Sequence, residues 1–177
     1  MSPIAATQAW LEKAVIGLNL CPFAKAVHTK GQIRWVLSAA QDTEALLAEL
    51  VAELQLLAAA DPALIDTTLL VHPLVLADFE DYNDFLDVAD AALEDLGLDG
   101  TLQIASFHPH YQFAGTSADD VTNCSNRSPH PTLHLLREDS IALAVQAFPA
   151  AESIYERNIE TLQRLGTVGW RRLMQAA

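Results

Sequence analysis

The chain has 177 residues, a 51% hydrophobic composition, two cysteines and a formal net charge of −13. This length buries enough surface for one domain, expected over residues 1–177, to fold without a metal or disulfide. Two cysteines form no disulfide framework, so in a reducing compartment Cys21 and Cys124 should be free thiols. Residues 35–126 contain no Lys or Arg and 17 of the 23 acidic residues, which disfavours nucleic acid and anionic membrane surfaces as partners.

Hydrophobic periodicity and turn residues divide the chain into ten elements. Helices are predicted over 5–19, 22–28, 42–61, 78–97, 141–148 and 150–166. Strands are predicted over 33–38, 66–73, 102–109 and 132–138. Asp42 or Thr43 should cap the third helix, Asp139 and Ser140 the fifth, and Gly166 should end the last.

The order α-α-β-α-β-α-β-β-α-α predicts an α/β (or α+β) fold. Two successive βαβ units imply three parallel strands, and a fourth strand is expected antiparallel to them. The sequence therefore predicts one layered domain with a mixed sheet of about four strands covered by helices. The leucine-rich stretch 45–60 carries Glu49 and Glu53, and the first residues lack a basic start, so we expect a cytoplasmic protein without a signal peptide or membrane span.

Three histidines precede proline, at His72, His108 and His130. A residue before proline favours extended backbone, so each pair marks a strand boundary. If the fourth strand is antiparallel to the third, all three boundaries fall on one edge of the sheet. Open α/β sheets usually bind ligands at such an edge.

The segment "FHPHYQF", 107–113, is a candidate metal site. In extended chain His108 and His110 point to the same side, and His130, His134, Asp119, Asp120 or Cys124 could complete a ligand set for a divalent metal. The spacing matches no established zinc pattern, and strand-end His-Pro turns explain the same residues.

The segment "NLCPFAK", 19–25, suggests a nucleophile. Pro22 favours the first turn of a helix, whose unpaired N–H groups would stabilise a thiolate at Cys21, with help from Lys25. Cys21 with His108 or His110 would then form a nucleophile and base pair. The alternative is a buried cysteine that only packs.

About twenty residues without periodicity separate the third and fourth strands, and loops of that length are often functional. Arg127 in this loop suits a carboxylate or phosphate group, or else pairs with Asp119 or Asp120. We expect Lys25, Tyr111, Asn126 and Ser128 to contact the same anionic substrate as Arg127.

The combination of "NLCPFAK", "FHPHYQF" and "NRSPHPTLHLLRE" resembles the bacterial family known as domain of unknown function 1415, over nearly the whole chain. Cys124 and His130 stand where that family commonly has Thr and Tyr, which directs attention to Cys21, His108, Asn126 and Arg127. The resemblance implies no activity and no cofactor.

These patterns support three hypotheses about function. The first is a small-molecule hydrolase or transferase, with Arg127 holding an anionic group and Cys21, His108 or His110 performing the chemistry. The second is a metal-binding protein that uses His108 and His110. The third is a non-enzymatic interaction module that presents the acidic helix 78–96 to a basic partner.

Overall fold

A computed structural model describes residues 1–148 and 150–175 and contains a four-stranded mixed sheet. The strands are Ile33–Leu37 (β1), Thr67–Val71 (β2), Leu102–Phe107 (β3) and Thr132–Arg137 (β4). Their spatial order is β1-β2-β4-β3, in which β1 and β2 are parallel and β4 is antiparallel to both of its neighbours. The predicted α/β class is confirmed.

The two βαβ units predicted from the sequence do not indicate where β4 lies in the sheet. Strands β1, β2 and β3 run in the same direction, as predicted, but β4 lies between β2 and β3 instead of leaving them adjacent. Its sequence explains this position, because Leu133 and Leu135 are apolar on one face and Leu136 is apolar on the other. A strand with two apolar faces suits the interior of a sheet.

The helices agree with the predicted order. They are Pro3–Trp10 (α1), Ala24–Thr29 (α2), Thr43–Ala59 (α3), Phe79–Asp95 (α4), Glu138–Ala147 (α5) and Ile154–Gln175 (α6). A π-helix, Leu11–Ile16, continues α1, and short 3-10 helices cover Val121–Asn126 and Ala151–Ser153. Among the described residues, no helix is both long and apolar enough to cross a membrane.

Several predicted helix ends differ from the observed ones. Asp42 caps α3 as predicted, since its carboxylate accepts a hydrogen bond from the Ala45 N–H at 2.8 Å. Ser140 lies inside α5, where its hydroxyl donates to Asp66 at 2.6 Å instead of capping the helix. Gly166 does not end the last helix; its φ of 66° makes a kink, and the chain then returns to helix.

Helices cover both faces of the sheet. On the first face, leucines of α3 and the aromatic and apolar side chains of α4 pack against Leu70, Leu133 and Leu135. On the second face, α1 and the π-helix pack Trp10 and Val15 against the sheet near Leu69. The side chains of β2 and β4 alternate between these two environments, as extended backbone requires.

Arg137, the last residue of β4, contacts the end of α3 on the first face of the sheet. Its guanidinium donates to the backbone carbonyls of Leu57, Ala60 and Ile65 at 2.7–3.3 Å. The carbonyls at the end of a helix have no partner within that helix, so this arginine satisfies the end of α3 and the turn that follows.

Candidate functional site

The three His-Pro pairs meet at one edge of the sheet, as predicted. The His72 N–H donates to the Pro131 carbonyl at 3.0 Å, and the His108 N–H donates to the Asn126 carbonyl at 3.1 Å. Val71 and Phe107, the last residues of β2 and β3, are both register partners of Thr132. The ends of β2 and β3 and the start of β4 are therefore neighbours.

Tyr82 of α4 joins two strands at this edge. Its hydroxyl donates to the Thr132 carbonyl at 2.8 Å and accepts from the Phe107 N–H at 3.1 Å. The residue is completely buried, and burial raises the pKa of the phenol well above its ordinary value. The hydroxyl therefore stays protonated and able to donate at any physiological pH.

His108 is held in place through both nitrogens of its ring. The His110 N–H donates to His108 Nδ1 at 3.0 Å, so the ring proton lies on Nε2, which donates to the Leu76 carbonyl at 3.1 Å. Leu76 has a φ of 59°, which is uncommon for a bulky side chain. Burial lowers the pKa of His108, so the neutral ring stabilises this turn, and a base or ligand role would require one of its hydrogen bonds to break.

His72 is buried next to the same tyrosine. Its ring stacks on Tyr82 at 5.8 Å between centroids, and Nδ1 donates to the Val75 carbonyl at 3.2 Å. Burial lowers the pKa of His72 to about 4. Nε2 is enclosed and has no hydrogen-bond partner among the described residues, so protonation there would place an unpaired charge in the core.

The predicted metal site has an incomplete ligand set. His110 is exposed, and its ring centroid lies 5.9 Å from that of His108. Within residues 1–148 and 150–175, no group of three or more His, Cys, Asp or Glu side chains is arranged to hold a metal ion. Metal binding at His108 and His110 thus stays a prediction.

The loop between β3 and β4 is ordered by its own polar side chains. Asn123 is fully buried, accepts from the Phe113 N–H and the Thr116 hydroxyl, and donates to the Ser117 carbonyl. Asn126 donates to the Ser106 carbonyl of β3 at 3.1 Å. The side-chain amides of Asn123 and Asn126 therefore order this loop, and the sequence indicates this role only by a cluster of Asn, Ser and Thr.

Arg127 also contacts backbone within this loop. Its Nε donates to the Tyr111 carbonyl at 3.0 Å, and one Nη donates to the Ala118 carbonyl at 2.7 Å. Ser128 is buried and donates to the His130 carbonyl at 2.6 Å. Arg127 and Ser128 also line a cavity of about 410 Å³ together with Lys13. The anion-binding role of Arg127 stays a prediction.

A larger cavity lies on the second face of the sheet, away from the His-Pro edge. Its volume is about 640 Å³. The sheet contributes Leu69, Ala105 and Leu136 to it, α1 and the π-helix contribute Trp10, Leu11 and Val15, and α2 and α5 contribute Val27, Ile141, Ala144 and Ala147. The rings of Phe23 and Phe148, at the ends of α2 and α5, meet edge to face at 6.0 Å.

His134 is the titratable ring of this cavity. Its Nε2 lies 2.7 Å from the Thr67 hydroxyl oxygen, and the same hydroxyl donates to the Leu135 carbonyl at 2.6 Å. Burial lowers the pKa of His134 to about 4, so the imidazole is neutral near pH 7. A neutral histidine set among apolar side chains can accept or donate one further hydrogen bond in the cavity.

Cys21 lines this cavity, whereas His108 lies on the other side of the sheet. Phe107 packs on Trp10 at 5.1 Å, on the cavity face, and the His108 ring that follows it packs against Phe79 and Tyr82 of α4. The chain turns at Pro22, and α2 begins at Ala24, so Cys21 precedes the helix instead of starting it. Cys21 and His134 therefore line the same cavity, which His108 does not reach.

The other predicted substrate residues are spread over the molecule. Lys25 is exposed on α2, and Tyr111 packs its ring against Phe79 at 5.1 Å. The sequence indicates His134 only as a candidate metal ligand. Strand alternation places it opposite Leu133 and Leu135, but both faces of β4 are apolar, so sequence alone does not indicate which face borders a cavity.

The fold and cavity define an α/β protein with a sheet covered on both faces and an apolar, ligand-sized cavity on one of them. The chain matches the family described as "Protein of unknown function (DUF1415)" over residues 2–172. It therefore belongs to that family, as its motifs predict. No curated protein and no solved structure matches it.

Proposed function

We propose that this protein binds a small, largely apolar molecule in the cavity between the sheet and helices α2 and α5. The observation that carries the proposal is a cavity of about 640 Å³ with apolar walls and the His134 ring at its floor. Binding sites for small molecules are commonly apolar clefts of about 300–1,000 Å³ with a few polar groups that orient the ligand.

The covering helices also support this proposal. The residues of α2 and α5 are at most partly buried, in contrast with the buried leucines of α3. Elements with little buried surface open at low free-energy cost, so these two helices can separate to admit a ligand. The Phe23–Phe148 contact would part during such an opening.

Binding of the apolar dye Nile red, measured by its fluorescence, tests the proposal with two matched variants. Ala144 lines the cavity and Ala142 is exposed on the same helix. Ala144→Phe fills the cavity and should weaken dye binding at least about tenfold, equivalent to about 1.4 kcal/mol. Ala142→Phe adds the same ring to the surface and should leave the affinity unchanged.

The two variants separate cavity binding from surface adsorption. If both variants weaken Nile red binding equally, or if neither weakens it, the result would contradict the proposed site. Circular dichroism and thermal unfolding of both variants establish that any difference in affinity is not caused by loss of the fold.

A second candidate function is nucleophilic chemistry on a bound molecule, in keeping with the predicted hydrolase or transferase. The specific observation in its favour is that Cys21 and His134 line the same cavity. In this case His134, instead of His108 or His110, would be the base. If so, His134→Phe should slow alkylation of Cys21 by an apolar haloacetamide about tenfold or more, within the range of general-base effects.

The buried Cys124 provides the internal control for that measurement. Burial raises the pKa of the Cys124 thiol, so this residue should react slowly in every variant. An unchanged Cys21 rate after His134→Phe would argue against the pair. We further propose a cytoplasmic location, which the two free thiols support.

A further inference from the structure

Given the proposed function, we infer that the ligand carries an uncharged hydrogen-bond donor, such as a hydroxyl, at the point where it meets His134. This inference depends on the proposed cavity and adds the chemical class of the molecule that the cavity accepts. It differs from the anionic ligand predicted from Arg127 in the sequence, which concerns another surface.

The hydrogen bonds of Thr67 determine which nitrogen of His134 carries the proton. A hydroxyl has one proton, and the 2.6 Å distance from the Thr67 oxygen to the Leu135 carbonyl shows where that proton lies. The Thr67 oxygen must then accept from His134 at 2.7 Å, so the imidazole proton is on Nε2. Nδ1 is consequently the unprotonated nitrogen.

Nδ1 of His134 has a lone pair that the described residues do not use. The ring's hydrogen bond runs through Nε2, and the ring borders the cavity. Burial keeps the ring neutral near pH 7, so Nδ1 acts as a hydrogen-bond acceptor. A ligand group that donates a proton fits this position, whereas a group that only accepts would face a lone pair.

The charged residues around the cavity also disfavour an anion. Among the residues that line it, Asp66 and Arg137 carry charge. The Asp66 carboxylate accepts from the Ser140 hydroxyl, and the Arg137 guanidinium donates to carbonyls at the end of α3. A carboxylate on the ligand would therefore lose its hydration without gaining an available cation, which is unfavourable in an apolar site.

The inference is tested with three ligands of one shape: 2-naphthol, 2-naphthoate and 2-naphthylmethylamine. Isothermal titration at pH 7 compares their affinities for the natural protein. We expect 2-naphthol to bind about tenfold or more tightly than 2-naphthoate, in line with the cost of leaving a buried polar group unpaired. Equal or tighter binding of 2-naphthoate would overturn the inference, and tightest binding of the amine would assign the polar contact to Asp66 instead.

His134→Phe provides the variant in which the acceptor is absent. It should abolish the preference for 2-naphthol over 2-naphthoate while Nile red still binds. Ala142→Phe, which adds the same ring to the exposed side of α5, should preserve that preference. If His134→Phe does not fold, nitrogen-15 spectra of the natural protein decide the point, because they report directly whether Nε2 or Nδ1 carries the proton.

The outcomes separate this inference from the proposed function. If Nile red binds but none of the three naphthalenes does, or if the spectra place the proton on Nδ1, the hydroxyl assignment is wrong and the cavity proposal stands. If Nile red binding is equally insensitive to Ala144→Phe and Ala142→Phe, the proposed function itself fails.

Discussion

Removal of the Tyr82 hydroxyl should destabilise the fold strongly for the loss of one atom. The hydroxyl links the Phe107 N–H to the Thr132 carbonyl, two register partners at the end of the β3–β4 ladder. Tyr82→Phe keeps the buried ring and leaves both backbone groups without this partner. Each unpaired buried group costs about 1–3 kcal/mol, so the expected loss is about 2–4 kcal/mol.

Tyr111→Phe is the matched control, because it removes the same atom from a weakly bonded tyrosine. The Tyr111 hydroxyl accepts from Ser106 at 3.5 Å, the outer limit for a hydrogen bond, and the residue is only partly buried. We expect a loss below about 0.5 kcal/mol, typical of substitutions away from buried networks.

Urea unfolding followed by circular dichroism and tryptophan fluorescence measures both variants. For a domain of this size, the loss in Tyr82→Phe corresponds to a fall in Tm of roughly 5–15 °C. A cost below about 1 kcal/mol would refute the reasoning, since it would mean that the strands close to form a direct bond between the two backbone groups.

Three further predictions concern other buried polar groups. The pKa of His72 is lowered from 6.5 to about 4, so its neutral form contributes stability fully above pH 6.5, and this is lost as the pH falls towards 4. The free energy of unfolding of His72→Phe should therefore fall less steeply over that range, by about 1.4 kcal/mol per pH unit, and parallel curves in urea titrations would contradict a neutral buried ring. Arg137→Lys should cost about 2 kcal/mol in the same assay, because one ammonium cannot reach the carbonyls that the guanidinium now satisfies, and a neutral result would exclude that role. Asn123→Ala should increase hydrogen exchange across residues 113–117 with little change in the sheet, whereas uniform exchange changes would show that the loop and sheet open together.

The sequence predicted the sheet and its helices because period and capping act locally. The β2 segment and the Asp42 cap could be identified from their neighbours alone. The insertion of β4 between β2 and β3 could not be predicted, because it depends on which distant strands pair with the free side of β2. The Ser140 hydroxyl likewise does not cap its helix, because it donates to the carboxylate of Asp66, which is distant in the chain.

The candidate site was less predictable than the fold. The sequence correctly placed the His-Pro pairs at one edge of the sheet. However, it does not distinguish a histidine that is only located at that edge from one that is available to a ligand. His108 is occupied through two backbone contacts, whereas His134 uses one ring nitrogen and borders a cavity under helices that have no fully buried residue. Such differences come from packing between distant segments, which one chain's residue pattern does not encode.

The central place of β4 also affects how the chain can fold during synthesis. β2 and β3 flank a gap that residues 132–137 fill, so neither strand completes its pairing until those residues have left the ribosome. Until then β2 presents an unpaired apolar edge, a surface prone to wrong pairing. Because residues 35–126 carry acidic side chains and no Lys or Arg, like copies of this segment repel one another, and we expect that repulsion to oppose aggregation of the incomplete sheet.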